Sequence, residues 1–152
     1  MSPTLATLTQ DMVAITDTIH ATLTEAQNDF DPVVAAVYYG SERLIPEFPS
    51  ITVESSTFTR SLAGQGSTHK WAVDFTTIIH LFYGKVQSAV LNQREVELLA
   101  QQIRDKLDDD FYLNGLVVFG AVTRMEPIVL GTPEVMLRTI RITWEGTSRH
   151  LF

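Results

Sequence analysis

The sequence predicts an α+β fold: a single four-stranded sheet with two main helices packed on one face. Three observations carry this. Leu8, Met12, Ile15, Ile19 and Leu23 recur at spacings of 4, 3, 4 and 4, the apolar stripe of an amphipathic helix. His69–Tyr83 alternates with a period of two over the length of a long strand. The element order reads helix, two strands, helix, two strands, with no internal repeat, and one sheet with both helices on its apolar face satisfies it.

Taken in order, Ser2-Pro3-Thr4 suits a first helical turn, and Thr7 with Gln10 offers a capping box. The first helix ends near Ala26. Its Thr-rich outer face lowers its intrinsic propensity, so it needs a surface to lie on. Val33–Tyr39 fits either a strand or a short helical turn, and Pro46 and Pro49 stiffen the turn region after it. Ile51–Arg60 is rich in β-branched residues and reads as a strand. Residues 63–68 have the composition of a flexible loop.

In the long strand, Trp71, Val73, Phe75, Thr77, Ile79, Leu81 and Tyr83 form the expected core face. Ala72, Asp74, Thr76, Ile78, His80 and Phe82 form the other, which is too apolar for a freely solvated face and predicts a cover, such as a neighbouring subunit. After Gly84 the period changes. Asn92 with Glu95 makes a capping box ahead of the stripe Val96, Leu99, Ala100, Ile103 and Leu107. Asp108, Asp109 and Asp110 lie at the negative end of this helix and favour an early stop as a solvated terminus. Asn114-Gly115 marks a turn. Leu116–Met125 reads as a strand broken by Pro127, and Val135–Glu145 as a last strand ended by Gly146. The two form a hairpin joined by an extended loop.

The 152 residues fit one domain, 1–152. The absence of cysteine excludes disulfides, thiolate metal sites and cysteine nucleophiles. Residues 1–27 hold no Lys or Arg, so no basic targeting segment is expected, and the apolar patch at residues 78–83 is too short to cross a bilayer. Net charge is -7. The first third supplies most of it, with Asp11, Asp17, Glu25, Asp29, Asp31, Glu42 and Glu47 against Arg43 alone. This acidic front end disfavours nucleic-acid binding and suits either solubility or a basic partner.

Catalytic and metal-binding patterns are sparse. His20, His69, His80 and His150 are too dispersed for a local ligand pair, and structural roles are expected for His20 and His80. Asp74 shares a strand face with His80, but six residues at about 3.3 Å each hold them roughly 20 Å apart. An enzyme acting through Asp74, His69 or His80 would need them to converge in a pocket. Gly64-Gln65-Gly66-Ser67-Thr68 lacks the full phosphate-loop pattern and precedes a strand. It reads as a mobile loop. No metal or cofactor is expected.

The basic residues cluster late: Arg124, Arg138, Arg141 and Arg149. Arg124 and Arg138 flank the hairpin loop, and Arg141 points to the face opposite Arg138. Set against the acidic first third, they make a crude dipole by which identical copies can join head to tail. The alternative is that they pair locally with Glu126, Glu134 and Glu145. The residues thus predict a protein that works by assembly. A generic non-enzymatic binding module is the competing reading.

Three stretches carry a family resemblance: Tyr38-Tyr39-Gly40 with Ile45-Pro46-Glu47-Phe48-Pro49-Ser50-Ile51-Thr52-Val53-Glu54; Asn92-Gln93-Arg94-Glu95-Val96-Glu97-Leu98-Leu99-Ala100; and Arg138-Thr139-Ile140-Arg141-Ile142-Thr143-Trp144-Glu145-Gly146. With the element order, they resemble the tail terminator (tail completion) and neck proteins of long-tailed bacteriophages. The resemblance implies a structural protein of the virion, assembled in the host cytoplasm. Its subunits would close into a ring, typically a homohexamer, that caps the tail tube and meets the head connector. A neck or head-tail adaptor is the alternative place in the stack. The implied partners are other copies, the tube protein and the connector, with DNA passing through the ring but no specific nucleic-acid contact. The expected interface residues come from strand face and charge: Asp74, His80, Phe82, Gly64, Gln65, Gly66, Arg124, Arg138 and Arg141.

Overall fold

Two helices cover one face of a mixed sheet, and the strands that form that sheet are more numerous than the periodicity predicts. In the computed structural model the described residues are 5–40, 47–63, 70–86, 88–89, 91–110, 113, 117, 119–131 and 136–151. The elements are α1 (Leu5–Ala26), β1 (Ala36–Tyr39), β2 (Ser50–Ala63), β3 (Lys70–Lys85), β4 (Ser88–Ala89), α2 (Gln93–Asp108), β5 (Phe119–Gly131) and β6 (Met136–Leu151). The sheet has six strands in the order β1-β2-β3-β6-β5, with β4 paired to the end of β3. The α+β class and the two helices on one face agree with expectation. The four-stranded count does not: β1 and β4 are additional. Residues 36–39 settle as a strand parallel to the start of β2, a pairing that four residues cannot advertise by periodicity.

α1 buries Ile15, Ile19 and Leu23, as its stripe predicts. Its threonines satisfy their hydroxyls on the helix's own backbone. The hydroxyls of Thr16, Thr18, Thr22 and Thr24 each donate to the carbonyl four residues back. α2 opens on the expected capping box: the Asn92 side chain accepts the Glu95 N–H at 2.9 Å, and Glu95 reaches back to the Asn92 N–H. Val96, Leu99, Ala100, Ile103 and Leu107 are all buried.

The core lies between this helical layer and the odd-numbered face of β3, where Val73, Phe75, Ile79, Leu81 and Tyr83 are buried beside Ile51, Val53, Ile142 and Trp144. Two expected breaks do not interrupt their strands. β5 runs through Pro127 rather than breaking before it, and β6 runs through Gly146 rather than ending there. Gly146 continues the strand because Gly120, its partner on β5, and Gly146 itself both lie against the Trp144 ring. A Cβ at either glycine would overlap the indole, so glycine here makes room for a buried tryptophan rather than ending a strand.

Candidate interaction surfaces

The face of the sheet opposite the helices carries the even-numbered side chains of β3, and most of the proposed interface residues belong to it. Its two ends differ. At one end Phe82 and Leu137 are buried, with Tyr38, Phe48 and Leu130 packed against them. This corrects the expectation that a neighbouring subunit covers Phe82. The cover comes from the chain itself, through Tyr38 of β1 and Phe48 ahead of β2, neither of which periodicity assigns to this face.

In the middle of the same face, a row of titratable groups crosses four strands. His80 is 7% exposed. Arg141, its partner in the β3–β6 register, donates from Nε to His80 Nε2 at 3.3 Å. That acceptance places the ring proton on Nδ1, which lies 4.0 Å from Glu54 Oε1 on β2. Glu126 on β5, paired in register with Arg141, lies 3.8 Å from Arg141 Nη1 and 3.0 Å from Arg124 Nη2. Burial, reinforced by the Arg141 charge, lowers the His80 pKa from its ordinary 6.5 to about 4. His80 is therefore a neutral structural acceptor at neutral pH. Of the two sequence readings of the arginines, local pairing with Glu126 holds for Arg124 and Arg141. The signal for Glu126 was available: two residues from Arg124 on one strand, it must share its face.

At the far end the face is polar. Asp74 is exposed and accepts a hydrogen bond from Thr147 Oγ1 at 2.9 Å. It borders an open depression of about 390 Å³, which Phe119, Thr123 and Glu145 also line. Asp74 and His80 stay on separate parts of the strand with separate partners, as their spacing requires. Arg138 is exposed on the helix-side face, opposite Arg141. It stands near the exposed Val129, its register partner, and Met136. Gly64, Gln65 and Gly66 lie outside the described residues. Among the described residues, no group of three or more His, Asp or Glu is placed to hold a metal ion, and no helix is long and apolar enough to cross a membrane.

The sheet's two outer edges are unlike. Residues 5–40 and 47–63 build the β1–β2 edge and the helix above it. They carry net −6: Asp11, Asp17, Glu25, Asp29, Asp31, Glu47 and Glu54 against Arg60. Residues 119–131 and 136–151 build the β5–β6 edge and carry net +2: Arg124, Arg138, Arg141 and Arg149 against Glu126 and Glu145. The sequence dipole is thus laid out across the sheet. Compared with known proteins, the chain matches no family model and no curated protein sequence.

Proposed function

We propose that this chain is a structural, ring-forming subunit that caps a phage tail tube and joins it to the head connector. The supporting observation is the charge layout. An acidic sheet edge and a slightly basic one sit at opposite ends of the same fold, so successive copies present unlike patches to one another. Such a heterologous contact is the kind that closes into a ring when the rotation between copies permits. The β5–β6 hairpin end, with exposed Val129, Met136 and Arg138, is a second surface for an adjoining ring or tube. The family resemblance supplies the tail assignment, and a neck adaptor would use the same layout. In this reading the protein is not an enzyme and carries no cofactor.

The test is the solution mass by light scattering and negative-stain imaging, with the protein alone and with purified tail tubes. A ring with a central hole, alone or on tube ends, is expected. Protein that stays at 17.0 kDa and leaves tube ends bare overturns the reading.

A further inference from the structure

We infer that Arg138 of one copy seats on Asp17 and Tyr39 of the next, with Met136 packed against Val13. The inference rests on the head-to-tail reading above and names the side chains that carry the contact.

On the acidic edge, α1 and β1 build one patch. Val13, Asp17 and His20 follow at spacings of 4 and 3, so they share a stripe of α1. That stripe lies beside β1, the outermost strand. The Tyr39 hydroxyl bonds the Asp17 carboxylate. His20 Nε2 donates to the Val37 carbonyl at 3.3 Å, and the His20 and Tyr39 rings stand 5.5 Å apart. Val13, Asp17 and Tyr39 are all exposed. A carboxylate that holds one tyrosine hydroxyl keeps lone pairs on its two oxygens for a guanidinium.

On the opposite edge, Arg138 has Gly84 of β3 and Val129 of β5 as its register neighbours, and neither can neutralise it. Among the described residues it forms no ion pair. Val129 and Met136 are exposed on the same face. Four of the seven exposed large apolar side chains among the described residues thus fall in these two patches, each beside a charge of opposite sign.

The spacings match. Val13 stands about 6 Å along α1 from Asp17, and Met136 stands about 6.7 Å along β6 from Arg138. One approach therefore makes both contacts together. The guanidinium meets a carboxylate at its edge and an aromatic ring at its face, a combination that suits arginine better than lysine. Each copy offers one patch on each side, so the contact is heterologous and propagates. Tyr39 is level with Ile142 across the sheet, four residues or about 13 Å along β6 from Arg138. Adjoining copies are therefore staggered, and their strands tilt against the ring axis as they do in a closed barrel.

The chain has no cysteine, so Val13→Cys with Met136→Cys supplies its only two thiols. Within one copy they cannot meet. Thr16, three residues from Val13, bonds Ser55, which is level with Trp144, eight residues or about 27 Å along β6 from Met136. On oxidation, alone or on tail tubes, the double variant is expected to give a ladder of covalent oligomers, and either single variant almost none. Arg138→Glu should suppress the ladder and weaken self-association in sedimentation velocity by about tenfold or more, with the melting temperature unchanged. Asp17→Asn, which keeps an oxygen for the Tyr39 hydroxyl, should weaken it in the same direction. Mixing R138E with Asp17→Lys should restore association, because native and charge-swapped contacts then alternate. R138E that associates like wild type overturns the contact. Rings on tubes from the double cysteine variant that never cross-link do so too, and leave the ring reading standing. An R138E-sensitive ladder in protein that leaves tube ends bare keeps the contact and sinks the tail-capping reading. Protein that stays at 17.0 kDa alone and with tubes sinks both.

Discussion

The carboxylate of Asp108, the last residue of α2, accepts the backbone N–H of Val122 on β5 at 3.0 Å. One bond thus ties the helical layer to the sheet and occupies an outward donor of an edge strand. The sequence places Asp108 in a run of three aspartates that reads as a solvated terminus. Only the chain's return through β5 gives the first of them a partner.

Asp108→Ala should therefore cost about 1–2 kcal/mol of stability, since the carboxylate–amide bond is charge-assisted. Asp108→Asn, which keeps an acceptor oxygen, should cost less. Asp109→Ala, at an exposed C-cap position, should change little. Urea unfolding of the three variants checks the ranking, and equal losses at Asp108 and Asp109 would remove the role assigned to Asp108.

Gly146→Ala and Gly120→Ala should each destabilise by about 2 kcal/mol or more, because a Cβ at either position enters the space of the fully buried Trp144 ring. Among the described residues the buried Trp144 indole N–H has no partner, so Trp144→Phe loses volume but removes a donor that none of them satisfies. The double variant Gly146→Ala with Trp144→Phe should be more stable than the sum of the single losses predicts. Strict additivity in thermal melts would mean that the glycine is not needed for the ring.

His80 makes stability fall on acidification within a defined window. Its folded pKa, about 4, lies below its ordinary 6.5, so the unfolded chain binds the proton more readily. The contribution is fully present above pH 6.5 and is lost as pH drops toward 4, by up to about 3 kcal/mol. His80→Gln, which cannot titrate, should flatten the curve between these limits. Unfolding free energies measured at pH 7 and near pH 4.5 for both proteins decide it, and parallel curves would mean that His80 is not the group responsible.

Asn92→Ala should cost about 1 kcal/mol by leaving the Glu95 N–H without its acceptor and breaking the reciprocal box. Asn92→Asp should restore most of the loss, adding a negative charge at the helix N-terminus. The readout is again the denaturation midpoint. An Asp variant no better than the Ala variant would show that the cap contributes little here.

Local pattern determined much of this protein. The stripe from Met12 to Leu23, the Asn92–Glu95 cap and the alternation of β3 each report a nearest-neighbour geometry, and side chains three, four or two residues apart contain it completely. The class, both helices, the four long strands and the buried face of β3 followed from them. Tertiary structure decided what depends on residues distant in the chain. β1 exists because four residues dock beside Ser50–Val53. Pro127 stays in β5 because its missing N–H falls on the outer edge. Gly146 continues β6 because Trp144 fills the space of two side chains. Phe82 is covered by Phe48 and Tyr38, and the first third's negative charge becomes one edge of a sheet only once the strand order is set. No local spacing encodes a strand's neighbours, so edges, covers and charge layout could be read only from the fold.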